Sequence, residues 1–239
     1  LANSDFYSGA FPSQYGNATS GVFDLNLRTG NNQDREYIAQ VGFNGFEFGT
    51  EGPFTKKSNA SYLFSYRYSS LAFFESLGMN LGVPAIPYYQ DLTFKIDIPL
   101  SEKNRLSVFG LGGANHISSE LEEGGSYEYF RSNAQTGAVG ISHRYYFNEK
   151  TRLRTIISWG GIRNFGIDSA SVNGILTDQY GQDFEEQKFT VQSDIRRRLS
   201  SRDHLVGGVE VSYIKASYLD SIYVPDWNLF FRTANTSGD

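Results

Sequence analysis

The chain has 239 residues, no cysteine and a formal net charge of −5 at pH 7. The lack of cysteine excludes a disulfide framework and thiolate metal sites. The mild acidity argues against nucleic acid as a partner, because a nucleic-acid-binding protein is expected to carry a basic face. No run approaches the ~18 consecutive apolar residues of a membrane-spanning helix, which excludes a helical membrane protein. The abundant Tyr (16), Phe (19) and Gly (25) are typical of strands and tight turns.

The chain starts with a compact Gly-, Ser- and Asn-rich stretch, residues 6–31, which reads FYSGAFPSQYGNATSGVFDLNLRTGN. It ends in a predicted strand from Val22 to Arg28. The first predicted hairpin follows, with Asn44-Gly45 between two alternating segments. Both turn residues tolerate positive φ, as a type I′ turn requires. A two-residue loop at 44–45 predicts that Phe43 lies opposite Phe46, and that Val41 and Ala39 lie opposite Phe48 and Thr50, respectively.

Apolar and polar residues then alternate in every later segment with strand character. In residues 91–98, Leu92, Phe94, Ile96 and Ile98 face one way, whereas Asp91, Thr93, Lys95 and Asp97 face the other. The same period of two recurs in residues 60–68, 136–147, 151–160, 187–199 and 204–213. We predict about nine strands, several close to the ~9–11 residues that cross a bilayer at a tilt.

The connections between these strands alternate in length. PFTKKSN, PLSEKN, FNEKT and LSSRDH are short and polar, whereas residues 69–88, 114–132, 162–183 and those from 214 onward form long predicted loops. Short periplasmic turns and long extracellular loops are typical of a transmembrane barrel. The pattern therefore favours a barrel with lipid on the apolar face and water or a plug on the polar face. On this interpretation Lys95→Ala should cost little. A soluble β-sandwich, acting as a binding or adhesion module, is the alternative.

No enzyme signature is present. His116, His143 and His204 lack metal-ligand spacing, and the adjacent Ser142 and His143 lie on opposite faces of one strand. We therefore predict a non-enzymatic protein with no catalytic residue, no bound metal and no cofactor.

The stretch at residues 9–28 resembles the end of the plug domain in TonB-dependent outer-membrane receptors. In that family a G-x-F/x-P-x-x-Y-G stretch leads into G-G-V-I-N-I-x-T. The matching residues here are Gly9, Phe11, Pro12, Tyr15, Gly16, Ser20, Gly21, Val22, Phe23, Asp24, Leu25, Asn26, Leu27 and Arg28. EGPF at 51–54 resembles the turn after the second barrel strand. SYLFSYRYSSL and YQDLTFKIDIPL look most like receptors of Bacteroidota-type bacteria.

The resemblance implies an all-β fold, with residues 1–32 as the end of a plug domain and 33–239 as the N-terminal portion of an antiparallel transmembrane β-barrel. It implies an importer in the outer membrane of a Gram-negative bacterium. Such a receptor takes up a scarce nutrient, such as a metal chelate, glycan or peptide. The partners implied are outer-membrane lipid, the TonB complex and a surface lipoprotein.

The sequence departs from the family in what it lacks. It has no TonB box, most of a plug is missing, and about nine strands are far fewer than the ~22 of a plugged barrel. We therefore expect one stretch of a longer polypeptide. We also expect the strand at 36–43 to lie at a sheet edge, without bonding to the strand at 204–213.

Four aromatic residues are the ligand-binding candidates. Tyr127, Tyr129 and Phe130 lie in the predicted loop segment GGSYEYFR, residues 124–131, and Tyr15 lies in the plug-like stretch. Such rings could stack on a ring or sugar of a ligand. The alternative is that these aromatics pack loops against one another.

Overall fold

The computed structural model describes residues 2, 4–16, 20–42, 45–55, 59–69, 71, 73, 77–78, 85, 87–123, 126–172, 174–224 and 229–237. These residues form twelve strands: β1 (Asp5–Tyr7), β2 (Val22–Asp24), β3 (Glu36–Gly42), β4 (Gly45–Pro53), β5 (Ser61–Tyr68), β6 (Tyr88–Pro99), β7 (Asn104–Glu123), β8 (Ser126–Asn148), β9 (Thr151–Val172), β10 (Ile175–Arg198), β11 (His204–Val224) and β12 (Leu229–Ser237). The prediction of a strand-rich antiparallel architecture is confirmed. Within the described ranges, no helix is long and apolar enough to cross a membrane.

Two sheets are formed. β1 and β2 pair as a small antiparallel ribbon, and β3 to β12 form one ten-stranded sheet in which each strand pairs with its neighbours in sequence. Among the described residues β3 pairs only with β4, and β11 pairs with β10 and β12. The strand at 36–42 therefore lies at a sheet edge and is not bonded to β11, as expected.

The register predicted for the first hairpin is wrong by two residues. Gly42 lies opposite Gly45, so Val41 faces Phe46 and Ala39 faces Phe48. The connection falls at residues 43–44, which lie outside the described residues. A shift of two leaves every side chain on its predicted face, so the alternation alone could not distinguish the two registers.

Two of the predicted long loops are strands. Residues 114–123 and 126–132 continue β7 and β8, and residues 162–172 and 175–183 continue β9 and β10; these four strands are 20 to 24 residues long. Residues 214–224 likewise continue β11, whereas most of 69–88 lies outside the described residues. These strands are about twice as long as a tilted bilayer crossing needs. The prediction failed because polar and apolar residues mix on both faces there, which removes the alternation while the backbone ladder continues.

The ten-stranded sheet has two chemically different faces. We call the face that carries Lys95, Asp97, Ser107, Ser142 and Asp194 the polar face, and the opposite one the apolar face. These five polar side chains are all buried, with exposures of 9% or less. Ala60 is the one buried hydrophobic residue among those described. The polarity is therefore inverted relative to a water-soluble sheet, in which the apolar face is expected to be covered.

Candidate functional site

The apolar face carries a continuous exposed patch on β8 to β11. Its two cross-strand rows are Val139–Trp159–Phe189–Tyr213 and Ile141–Ile157–Val191–Val211. Each of these eight side chains is 40–66% exposed. We call these eight residues the apolar belt. Monomeric soluble proteins rarely expose a contiguous apolar patch of this kind, so the belt is a candidate surface for contact with an apolar medium or partner.

The belt has different borders at its two ends. On the side of the long strand ends, the same face becomes polar at the cross-strand row Gln135–Arg163–Glu185. On the side of the short turns, Tyr145 and Phe147 pack edge to face with ring centroids 4.8 Å apart. A tyrosine ring, which has one polar end, is favoured where an apolar layer meets water, so Tyr145 suits this border. The apolar band is thus limited in height on this face.

The segment that precedes the sheet, residues 20–35, crosses the polar face of β4 to β6, and we call it the tail. Arg28 donates two hydrogen bonds to the two carboxylate oxygens of Glu51 on β4. The backbone N–H of Asn31 donates to Glu51 Oε2 at 2.8 Å. On β6, Lys95 Nζ donates to the carbonyl oxygen of Leu27 at 2.7 Å. The tail is thus held to the sheet by polar contacts.

One close approach fixes where the tail lies. A Cβ added to Gly30 would come within 2.1 Å of the carbonyl oxygen of Tyr62 on β5, so only glycine fits at this crossing. Beside it, a depression of about 230 Å³ is lined by Leu27 and Arg28 of the tail and by Leu63 of β5, among others. The tail therefore covers part of the polar face without filling it.

The two partners of the Arg28–Glu51 ion pair differ in their exposure to solvent. The Glu51 side chain is 7% exposed and that of Arg28 is 44% exposed. The hydrogen bond to Glu51 raises the pKa of Arg28 above its ordinary value, although burial acts in the opposite direction. A buried carboxylate is costly unless it is paired, so Glu51 depends on the tail for its main partner.

The part of the chain before the tail contains Tyr15, one of the predicted ligand contacts. Its hydroxyl donates to Asp24 Oδ2 at 2.7 Å, and its ring lies 5.6 Å from that of Tyr7. Burial and this hydrogen bond raise the pKa of Tyr15 above its ordinary value of 10.0. Tyr15 therefore has an intramolecular role that connects the end of β2 to the preceding loop.

The other three predicted contacts lie on β8, on a strand extension where a loop was expected. Tyr127 and Tyr129 lie opposite Glu122 and Glu120, and Phe130 lies opposite Ser119. Alternation therefore places Phe130 on the polar face and the two tyrosines on the other face. Tyr129 and Phe130 both line a depression of about 190 Å³. The ligand role of all four residues stays a prediction.

Sequence reasoning missed the contacts of Lys95 and Glu51. It placed Lys95 correctly on the polar face, facing water or a plug, but named no partner for it; Lys95 is 9% exposed and bonded to the tail. The expectation that Lys95→Ala should cost little did not include this contact, and we now predict a cost because the tail carbonyl would lose its donor. A charged residue within each of two strands, β4 and β6, was the available signal, but the partner of each charge could not be predicted from periodicity.

No protein-family model, curated protein sequence or solved structure matches the chain.

Proposed function

We propose that the chain forms part of the wall of an outer-membrane transporter of the TonB-dependent receptor type, with the tail as the end of its plug. The observation that carries the proposal is the inverted polarity of the sheet. Large apolar side chains are exposed on one face, and charged side chains are buried on the other. In water this arrangement is unfavourable, whereas in a bilayer the belt contacts acyl chains and the polar face lines the interior.

The height of the apolar band supports the same proposal. On β8 the apolar face runs from Gly137 to Phe147 between its polar upper row and the aromatic pair near the turn. Ten residue steps span roughly 33 Å along a strand, or roughly 24 Å at a tilt of about 45°. Outer-membrane barrels present an apolar band ~25 Å tall with aromatic girdles.

The contacts that hold the tail support its proposed role as a plug segment that can be displaced from the polar face. Its contacts with the sheet include an ion pair and a lysine–carbonyl hydrogen bond. Such contacts exchange readily for water when a segment is pulled away, unlike an interlocked apolar core, which resists rearrangement. A plug that is removed by force from the TonB complex needs contacts of this exchangeable kind. Removing the tail would open the polar face to a solute.

The substrate proposed is a scarce nutrient such as a metal chelate, glycan or peptide. It would be captured at the long strand ends, where the depression next to Tyr129 and Phe130 offers an exposed ring. A surface lipoprotein would dock at the same end, and lipid would contact the belt.

Paired cysteine substitutions on β10 test the membrane proposal. Val191 belongs to the apolar belt, and Gln192 is the next residue on the opposite face, so Val191→Cys and Gln192→Cys are matched variants. In lipid vesicles, a charged maleimide should label position 192 much faster than 191. A lipid-soluble maleimide should label 191.

Equal labelling of the two positions by the charged reagent would refute a lipid-facing belt. Monodisperse behaviour without detergent, combined with that result, would favour the soluble β-sandwich.

A further inference from the structure

Five arginines meet on the polar face near the short turns of β7 to β10. Arg105 lies opposite Arg144, which lies opposite Arg154 on the next strand. Arg152 lies opposite Arg196. Directly opposed like charges destabilise a sheet, because cross-strand side chains lie only about 5 Å apart. This concentration of positive charge therefore needs compensation.

The carboxylates of the same face compensate only two of the five. Arg154 Nε donates to Asp194 at 2.8 Å, and Arg105 Nε lies 3.2 Å from Asp97 Oδ2. The remaining three, Arg144, Arg152 and Arg196, make no ion pair or side-chain hydrogen bond within the described part of the chain. We call these three residues the arginine cluster. Five guanidiniums against two carboxylates leave an excess of three positive charges.

Two buried polar atoms near the arginine cluster lack a hydrogen-bond partner. Arg152 Nε is fully buried and has no hydrogen-bond acceptor among the described residues. Ser142 Oγ, two residues before Arg144 on the same face of β8, is also buried without a partner. A buried donor without an acceptor costs free energy and in native proteins usually indicates a bound water, ion or ligand. The positive excess around Arg152 favours an anion.

We propose that the arginine cluster is a binding site for a free, multiply charged oxyanion, with the phosphate group as the best geometric match. Guanidinium groups offer planar pairs of N–H donors that bind phosphate or carboxylate oxygens in a bidentate manner. Arg152 and Arg196 lie opposite each other, and Arg144 lies in the adjacent cross-strand row. Three guanidinium groups in this arrangement can surround one tetrahedral group. The proposal goes beyond transport, because it depends only on the polar face of β8 to β10.

Titration of the purified chain with inorganic pyrophosphate, by calorimetry at ~0.15 M salt, tests the site. Saturable binding with one pyrophosphate per chain is expected. Arg152→Gln should weaken it roughly 10- to 100-fold, the loss expected for one charge-assisted contact. Arg131→Gln is the matched control, since Arg131 lies on the opposite face of β8 and also makes no ion pair within the described ranges. It should bind pyrophosphate like the parent chain.

A stability measurement separates loss of the site from loss of the fold. Without ligand, Arg152→Gln should melt at or above the parent temperature, because it removes a half-buried cation that lies near other arginines. Pyrophosphate should raise the melting temperature of the parent and of Arg131→Gln, but not that of Arg152→Gln.

Equal pyrophosphate affinity in the two variants, or no saturable binding at all, would overturn the site. The site would also be overturned if the parent chain did not bind pyrophosphate and Arg152→Gln lowered the melting temperature. That pair of results would mean that carboxylates of the polypeptide itself neutralise the arginine cluster. If the proposal that the belt faces lipid were refuted, the expected results of these titrations would not change. The two proposals can therefore be refuted separately.

Discussion

Replacing Arg28 with alanine should release the tail from the polar face. Arg28 supplies two of the three hydrogen bonds that the described residues provide to the Glu51 carboxylate, and Asn31 N–H supplies the third. In the variant, Glu51 keeps its burial but loses its counter-charge. The unfavourable carboxylate can regain water only if the tail moves away from the sheet.

The magnitude follows from the burial of the two partners. Breaking a fully buried ion pair costs roughly 3–5 kcal/mol, and an exposed pair contributes roughly 0–1 kcal/mol. Glu51 is 7% exposed and Arg28 is 44% exposed, so an intermediate cost of about 2 kcal/mol is expected. That cost corresponds to a roughly 30-fold larger population of the released tail.

The release can be measured as the labelling rate of a cysteine beside the tail. Leu63 is half-buried next to the tail on the polar face, so Leu63→Cys should react slowly in the parent chain. Arg28→Ala should speed its reaction with a small maleimide roughly 30-fold, whereas Arg131→Ala, on the other face of the sheet, should not. In a double-mutant cycle, Glu51→Gln should suppress most of the Arg28→Ala effect. Unchanged labelling, or strictly additive effects of the two substitutions, would refute the reasoning.

Three further predictions concern single positions. Lys95→Ala should cost about 1–3 kcal/mol in urea unfolding, because it leaves a half-buried tail carbonyl without its donor. Lys188→Ala, on the same face in an exposed ion pair, should cost less than about 1 kcal/mol; equal costs would contradict the buried contact. Gly110→Ala should cost about 1–3 kcal/mol, since its Cβ would lie 2.4 Å from the ring of Phe94. In a Phe94→Leu background that cost should fall, and simple additivity would contradict the clash. The raised pKa of Tyr15 stabilises the folded state below pH 10.0 and is lost as pH rises through the folded-state value. Alkaline unfolding should therefore depend less on pH in Tyr15→Phe, and identical profiles would argue against the hydrogen bond between the Tyr15 hydroxyl and Asp24.

Alternation was sufficient to predict the faces of the sheet. In residues 91–98, Phe94 and Ile96 lie opposite apolar or glycine neighbours on the apolar face, and Lys95 and Asp97 are buried on the polar face. The side-chain period of a strand is a local property, so it can be read without knowing the neighbouring strands.

Register and strand length could not be obtained in the same way. Gly42 pairs with Gly45, and a shift of two residues leaves the alternation unchanged. Beyond the belt, rows such as Gln135–Arg163–Glu185 are polar on the apolar face too. Where the two faces of a strand do not differ in hydrophobicity, the sequence has the composition of a loop. Backbone hydrogen bonding nevertheless continues along these strands.

The contacts of the tail could not be predicted from the sequence for a different reason. Arg28 and Glu51 are 23 residues apart, and Lys95 bonds to a backbone carbonyl 68 residues away. Such long-range pairs leave no periodic signal in a single sequence. The resemblance predicted a plug segment before the sheet but not which residues bind it.

Trp159 offers the most direct test of the lipid-facing belt. The chain has two tryptophans, so Trp227→Phe leaves Trp159 as the only tryptophan fluorophore. Trp159 lies in the aromatic row of the belt and is 44% exposed. In vesicles, its emission should be blue-shifted, strongly quenched by brominated acyl chains and poorly quenched by aqueous acrylamide. Strong acrylamide quenching with no effect of brominated lipid would contradict a belt in contact with lipid.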